Sequence, residues 1–418
     1  MANSVRSRYA IFFILLAMAL LWRCLLQTYK YFEENISDNF KENPSIYSRY
    51  LIAEDVLDNS TFTEKSTLPG REKDESYKSY GRPLPFASEK RDKLDKSQRP
   101  ITDRLFKLFD HNPLNSHLHA DYYKFSECRY NRCEFTTNSL KADLLMVNAA
   151  RIKISPLPAR RRGALLLVYT KEPPTFRRFH FINRTEFMDS VNWSRCIYAD
   201  STFRAHYNNI IKRDPPVDKD YNAIFKRKRH QAAWFVSHCA TQSRREEYVK
   251  RMSSEIDVDI FGPCGTKTCG KHGFEMGGQR DVCLDILRND YKFYLSFENS
   301  MCSDYVTEKF YNMYDDVDII PVVRGGANYS EFVSKDTFVN TADFASPEEL
   351  GRYLKRLGQD KTRYIQMLQN KDSYISVPPR EKFHCTLCKA LHTRGHIRSV
   401  YPDFYKWLMG HCWEPTDL

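Results

Sequence analysis

The chain has 418 residues, enough for two or three domains. Its 42% hydrophobic and 14% aromatic content supports a sizeable buried core and excludes a wholly disordered or fibrous polypeptide. The formal charge of +11 suits an anionic partner such as a nucleic acid, a membrane surface or a sugar nucleotide. The absence of zinc-finger spacing and of an RNA-binding signature argues against nucleic acid.

In chain order the first feature is an apolar run. Arg6 and Arg8 precede Tyr9 to Trp22, and after Arg23 the apolar character resumes through Leu26. Ala17 and Ala19 form a small-x-small pair of the kind a signal peptidase cuts, but apolar residues outlast it. The reading is an uncleaved anchor over 9–26 with a cytosolic tail over 1–8, its basic residues held on the cytosolic side. Eleven of the 12 cysteines follow that run, where they would meet an oxidising lumen. Acceptor triplets for glycans stand at Asn35, Asn59, Asn183, Asn192 and Asn328.

Residues 27–120 read as a stem. From Glu64 to Arg99 the chain is dense in Lys, Glu, Asp, Ser and Pro, and such a composition buries too little apolar surface to offset chain entropy. Beyond it the pattern turns α/β. Short apolar runs bounded by turn residues predict buried strands at Asp143–Val147, Ala164–Tyr169, Ala232–Val236, Val258–Phe261, Phe293–Phe297 and Ile319–Val323. Helices are predicted at Arg244–Met252, Tyr305–Tyr314 and Pro347–Leu357. The last has a full start signal in Ser346, Pro347 and Glu349. This alternation over some 300 residues implies parallel sheets in two α/β domains. Their limits are set at 121–225 and 226–365, with a cysteine-bearing segment over 366–418.

The stretch YKFYLSFENSMCSDYVTEKFYNMY, Tyr291 to Tyr314, carries the most chemistry. A buried strand runs into a polar turn and then a helix start, where free backbone N–H groups favour a diphosphate. At helical spacing Tyr305, Glu308 and Lys309 share one face. A phenol, a carboxylate and a cation there can grip a phosphate and a ribose hydroxyl, although the same spacing also fits a solvated amphipathic helix with an internal ion pair.

This segment resembles the donor-binding signature of the α-1,3-fucosyltransferases. The matching residues are Phe297 to Ser300 and Tyr305 to Lys309. The runs IDVDIFGPCG (256–265), PVVRGGANYSEF (321–332) and DFASPEEL (343–350) resemble the same family. The resemblance implies two Rossmann-like domains facing a cleft, the GT-B architecture, in a type II protein of the Golgi membrane with a lumenal catalytic body. It implies GDP-fucose as donor, a GlcNAc-containing N-glycan or related oligosaccharide as acceptor, and an inverting single displacement. By motif position Asn299, Tyr305, Glu308 and Lys309 would contact the donor. Arg245 would pair with its diphosphate, with the adjacent Arg244 as the alternative. Glu172, at the end of a strand and before Pro173 and Pro174, matches the family's Glu-x-Pro element and would be the base. Without that context it reads as a surface glutamate, and Glu186, Asp189 and Asp200 are the next carboxylates of that half to test.

Two DxD pairs, Asp257/Asp259 and Asp316/Asp318, would suit a metal in another architecture. Here they flank a strand and a helix-to-strand connection, so no metal site is expected, and stimulation by Mn or Mg in an assay stays compatible. Cys385 and Cys388 form a CxxC. Redox chemistry, zinc binding with His384 and His392, and structural disulfides are the three readings, and the lumenal setting favours the last. The resemblance implies ties from Cys128 and Cys133 to this pair, against local closure of each pair. Cys264 and Cys269 are expected to close a small loop. The sequence departs from the family at Asn148 to Arg151, at Ile197 and Tyr198, and at Ser237 and His238. Those changes fall mostly in the acceptor half. The alternatives to an active fucosyltransferase are an enzyme of the same fold using another sugar nucleotide and an inactive glycan-binding homologue.

Overall fold

A computed structural model describes residues 103–113, 124–152, 156–269, 282–379 and 382–418. Its strands are β1 (Phe106–Asp110), β2 (Cys133–Phe135), β3 (Leu144–Asn148), β4 (Leu165–Tyr169), β5 (Met188–Val191), β6 (Trp193–Cys196), β7 (Phe203–Arg204) and β8 (Asn209–Lys212). They continue with β9 (His230–Phe235), β10 (Val258–Phe261), β11 (Tyr291–Phe297), β12 (Ile320–Arg324), β13 (Val339–Asn340), β14 (Tyr374–Val377) and β15 (Tyr401–Asp403). The helices are α1 (Tyr221–Arg227), α2 (Arg245–Met252), α3 (Val282–Asp290), α4 (Glu308–Tyr311), α5 (Pro347–Gln359), α6 (Lys361–Asp372), α7 (Phe383–Arg394) and α8 (Phe404–Met409).

Two parallel sheets organise these elements. The first runs β2-β1-β3-β4-β6-β7 and the second β10-β9-β11-β12-β13. Every pairing inside both is parallel. Parallel strands are covered on both faces, which is why LLMVN, LLLVY, YKFYLSF and IPVVR read as nearly unbroken apolar runs. The six strands expected from those runs are all present within a residue or two. In the second sheet β9 has β10 on one side and β11 on the other, so the strand order reverses between β9 and β11. In such sheets the crevice at that reversal, beyond the carboxyl ends of the two strands, is where ligands bind.

Helix α5 starts where the sequence indicates. Ser346 Oγ accepts from Glu349 N at 3.2 Å, Pro347 occupies the first position, and Glu349 reaches back to Ala345 N at 2.8 Å. The helix expected over Tyr305–Tyr314 is corrected. Its α-helical part is α4 alone, and a 3-10 turn, Asn312–Tyr314, follows. Thr307 is extended and caps α4, so Tyr305 stands before the helix and shares no helical face with Glu308 and Lys309. The stem limit at residue 120 is corrected too. β1 lies inside the first sheet between β2 and β3, and Leu108 is fully buried. The last segment returns to that sheet. Leu387 and Leu391 of α7 pack beside Leu108 and Leu144, while Phe404 and Leu408 of α8 pack beside Leu145 and Val168.

The cysteines staple this return. Cys128 bonds Cys385 and Cys133 bonds Cys388, so the long-range ties hold and the CxxC is not available for zinc. The expected Cys264–Cys269 loop is overturned. Cys264 bonds Cys239 and Cys269 bonds Cys283. Each partner comes from a different connection around β10, so tertiary proximity overrides the five-residue spacing. A further bridge joins Cys302 to Cys412, and Cys196 is a buried free thiol.

Asn35, Asn59 and the expected anchor over 9–26 lie outside the described residues. Among the described residues no helix is long and apolar enough to cross a membrane. Asn183 and Asn328 are exposed. Asn192 is a correction. It is buried, its Oδ1 accepts from Leu166 N at 2.9 Å, and its Nδ2 donates to Ser399 O at 3.2 Å. A glycan on that nitrogen is incompatible with this packing. Glycopeptide mass spectrometry of the secreted fold is expected to find Asn192 unmodified, and full occupancy there would contradict the burial.

Candidate active site

The site is built outward from the carboxyl end of β11. The strand delivers Glu298, whose carboxylate is fully buried. Burial raises its pKa, and the charge of Lys309 works against that rise. Its oxygens accept from Thr307 N at 2.8 Å and from Thr307 Oγ1 at 2.9 and 3.0 Å. Those bonds hold Thr307 extended and start α4 at Glu308. Lys309 Nζ lies 3.5 Å from Glu298 Oε2 and donates at 2.9 Å to both Thr307 Oγ1 and Glu308 Oε1. Burial works to lower the Lys309 pKa, but the two carboxylates outweigh it and hold the ammonium above its ordinary value. Burial likewise works to raise Glu308, and Lys309 outweighs it, so that carboxyl sits below its ordinary value.

Arg245 closes the other side of the same crevice. Arg244 turns the chain in the left-handed region at φ 50°, and Arg245 then opens α2 pointing inward. The Arg245 guanidinium donates to Phe297 O at 2.6 Å and to His238 O at 3.3 Å. Phe297 ends β11 and His238 follows β9, so the cation spans the strand-order reversal itself. Burial lowers its pKa, and the charge of Glu298 works against that fall. Arg244 points to solvent and pairs with Glu247 at 2.6 Å. Asn299 is buried beside Arg245, its carbonyl accepting from Ser243 N at 3.2 Å and its Oδ1 from Ser300 Oγ at 3.2 Å. Gly325 leaves the room this needs, since a Cβ there would stand 2.5 Å from the Tyr329 hydroxyl and 3.3 Å from Glu298 Cγ.

The first sheet contributes Glu172. β4 ends at Tyr169, and Thr170 Oγ1 accepts from Glu172 N at 2.9 Å in a tight turn before Pro173 and Pro174. Shortly after, Thr175 Oγ1 meets Ser300 Oγ at 2.7 Å, which brings the Glu172 turn onto the turn after β11. Tyr207 points its hydroxyl to Glu172 Oε1 at 3.5 Å. Burial raises the phenols of Tyr207 and Tyr305, and both are pushed further by Glu172, Glu298 and Glu308. The carboxylates of the two sheets therefore act on the same two phenols. Tyr305 is itself packed in the core of the first sheet with Leu145 and Val147.

Glu172, Asn299, Tyr305, Glu308, Lys309 and Arg245 thus converge on one place. Two other carboxylates of the first half are engaged elsewhere: Glu186 holds Leu157 N and Arg184, and Asp200 accepts from Trp407 Nε1. Asp189 is exposed on β5. Sequence reasoning passed over Glu298 and Thr307, although both stand inside the quoted motif, because their pairing needs the backward fold of the turn. Tyr207 and Gln242 had no signal at all. Three of the four DxD carboxylates serve the fold. Asp259 accepts from Tyr291 at 2.6 Å and pairs with Lys267, and Asp318 pairs with Lys219 and Arg227. Asp316 pairs with Arg213.

The second parallel sheet thus carries cations and an acidic pair at its strand-order reversal. Residues 225–407 match the family described as Glycosyltransferase family 10 (fucosyltransferase) C-term, so this segment carries a domain of that family. It is 34% identical over 293 residues to Alpha-(1,3)-fucosyltransferase C of Drosophila melanogaster, an alignment that covers 65% of this chain and 66% of that one. It is 30% identical over 309 residues to Glycoprotein 3-alpha-L-fucosyltransferase A of the same organism, with 71% and 58% covered. The chain spans less than two thirds of the length of these curated relatives. A solved α1,3-fucosyltransferase with GDP aligns over 71% of this chain and 92% of that chain, at 16% identity and a TM-score of 0.44.

Proposed function

We propose that this chain is an inverting α-1,3-fucosyltransferase of GT-B architecture that moves fucose from GDP-fucose to a hydroxyl of a GlcNAc-containing glycan. The observation that carries this is the meeting of Glu172, from the first sheet, with Arg245, Glu308 and Lys309 at the carboxyl edge of the second. The names of the relatives support fucose as the sugar. In the reaction Glu172 takes the proton of the acceptor hydroxyl. The freed oxygen forms its bond to the anomeric carbon as the bond to the diphosphate oxygen breaks, and GDP leaves with the electron pair. Negative charge grows on the diphosphate, where Lys309 and Arg245 are already fixed, so little reorganisation accompanies the step. Glu308 and Asn299 suit ribose and sugar hydroxyls, and Tyr305 orders the wall between the sheets. Arg245 holds its place through backbone carbonyls, which favours it over the solvent-facing Arg244.

The body is proposed to work in the Golgi lumen behind a single anchor over 9–26, in keeping with the bridges and the exposed acceptor asparagines. The acceptor test is transfer onto glycans of defined structure followed by NMR of the product. An α-linked fucose on O3 of GlcNAc is expected, and a β-linked product would overturn the inverting mechanism.

A further inference from the structure

The segment after α8 reaches both halves of the molecule at the site. His411 stacks on Tyr198 of the first half, with ring centroids 3.9 Å apart, and its Nε2 lies 3.2 Å from Asp200. Cys412 is bonded to Cys302 in the turn after β11. Around that disulfide the two segments form an isolated antiparallel β-bridge: Ser303 N donates to His411 O at 2.8 Å and Trp413 N to Met301 O at 3.0 Å. Gln242 ties the same turn from α2's side, accepting from Met301 N at 2.8 Å and donating to Trp413 O at 2.6 Å. Gly326 accommodates the indole, because a Cβ there would lie 2.5 Å from the Trp413 ring.

Asp417 completes the arrangement. It receives both forks of Arg324, at 2.7 and 3.2 Å. Arg324 is fully buried, lies over the Tyr248 ring and donates to Ser243 O at 2.5 Å. Ser243 in turn donates to Glu298 O at 2.7 Å and its N–H to Asn299 O at 3.2 Å. A charge-assisted bidentate pair thus ends two hydrogen bonds from the residues proposed to hold the donor. The family match ends at residue 407, so none of this segment belongs to it.

We infer that residues 411–417 are a clasp that sets the 298–303 turn for the donor, with Asp417 and Gln242 as positioning residues. The inference rests on the donor reading above. Both residues act on the turn after β11, so the effect is expected to fall on the donor.

The test uses the full chain in three variants: Asp417→Ala, the conservative Asp417→Glu, and Gln242→Ala. Two readouts are taken, hydrogen exchange of the backbone amides of 299–303 without ligand and calorimetric titration with GDP. In Asp417→Ala the amides are expected to exchange faster, and GDP affinity to fall about tenfold, less than for a lost direct contact because the pair acts two hydrogen bonds away from the donor residues. Asp417→Glu should recover most of both, and the acceptor KM should stay within about twofold in every variant. A folded Asp417→Ala with unchanged exchange and unchanged affinity overturns the clasp. Faster exchange with unchanged GDP affinity overturns its link to the donor. Should Asp417→Ala fail to fold, Gln242→Ala decides, since it removes only the tie between Met301 and Trp413. A wild-type chain that bound no GDP would instead strike at the donor reading, and the exchange arm would still decide whether the clasp orders the turn.

Discussion

Glu172→Gln is expected to lower turnover by roughly 10²–10⁴, the range attributed to a positioned acid–base group, while GDP affinity survives. The amide keeps the shape of the carboxylate and still accepts from Tyr207, which stands 3.5 Å from Glu172 Oε1. It removes only the proton acceptor. The turn itself is held by Thr170 and the two prolines and should not move. GDP binding depends on Arg245 and Lys309, in the other sheet, so calorimetry with GDP separates the two roles. Loss of GDP binding together with turnover would mean that Glu172 supports the fold or the donor site. Near-normal turnover would shift the base elsewhere. Asp189 would then be the first carboxylate to test, because Glu186 and Asp200 are already engaged.

Lys309→Ala is expected to weaken GDP binding by about 2–4 kcal/mol, the scale of one charge-assisted hydrogen bond in a partly dry site. The structure adds a second consequence. Lys309 is the cation beside the fully buried Glu298, and its removal leaves that carboxylate with the Thr307 hydrogen bonds and the charge of Arg245. Breaking a buried pair by deleting one partner is destabilising, so the thermal midpoint should fall as well. Lys309→Arg is expected to keep the midpoint better than it keeps GDP affinity, because a guanidinium retains the charge but not the compact reach of an ammonium. A folded Lys309→Ala chain with unchanged GDP affinity would remove Lys309 from the donor site.

Much of the frame was legible in the sequence because parallel strands covered on both faces announce themselves as short apolar runs. LLLVY and IPVVR needed no tertiary information, and the Ser346 cap was readable from three residues. What failed depended on partners distant in sequence. Tyr305 looks helical by spacing, yet the Glu298 carboxylate folds back onto Thr307 and holds that residue extended ahead of α4. Cys264 and Cys269 are near neighbours that bond elsewhere, to Cys239 and Cys283. The triplet at Asn192 says nothing of the strand edge that buries it. Leu105 to Asp110 follow a charged, stem-like stretch, and only pairing with β2 and β3 shows that a strand begins there. The site residues were legible through their motif. The clasp was not, since HCWEPTDL shows no periodicity and its meaning lies in Arg324 and Cys302, both far away in the chain.

The central claim is that the crevice between β9 and β11 serves GDP-fucose. It is tested most directly by turnover of the full chain against a panel of sugar nucleotides at matched concentration, with a GlcNAc-containing glycan as acceptor. The account predicts glycan-dependent GDP release from GDP-fucose, at least about tenfold faster than from GDP-mannose or from any UDP-sugar, and abolished in Lys309→Ala. Equal or faster transfer from another sugar nucleotide, or GDP-fucose turnover untouched by Lys309→Ala, would contradict it.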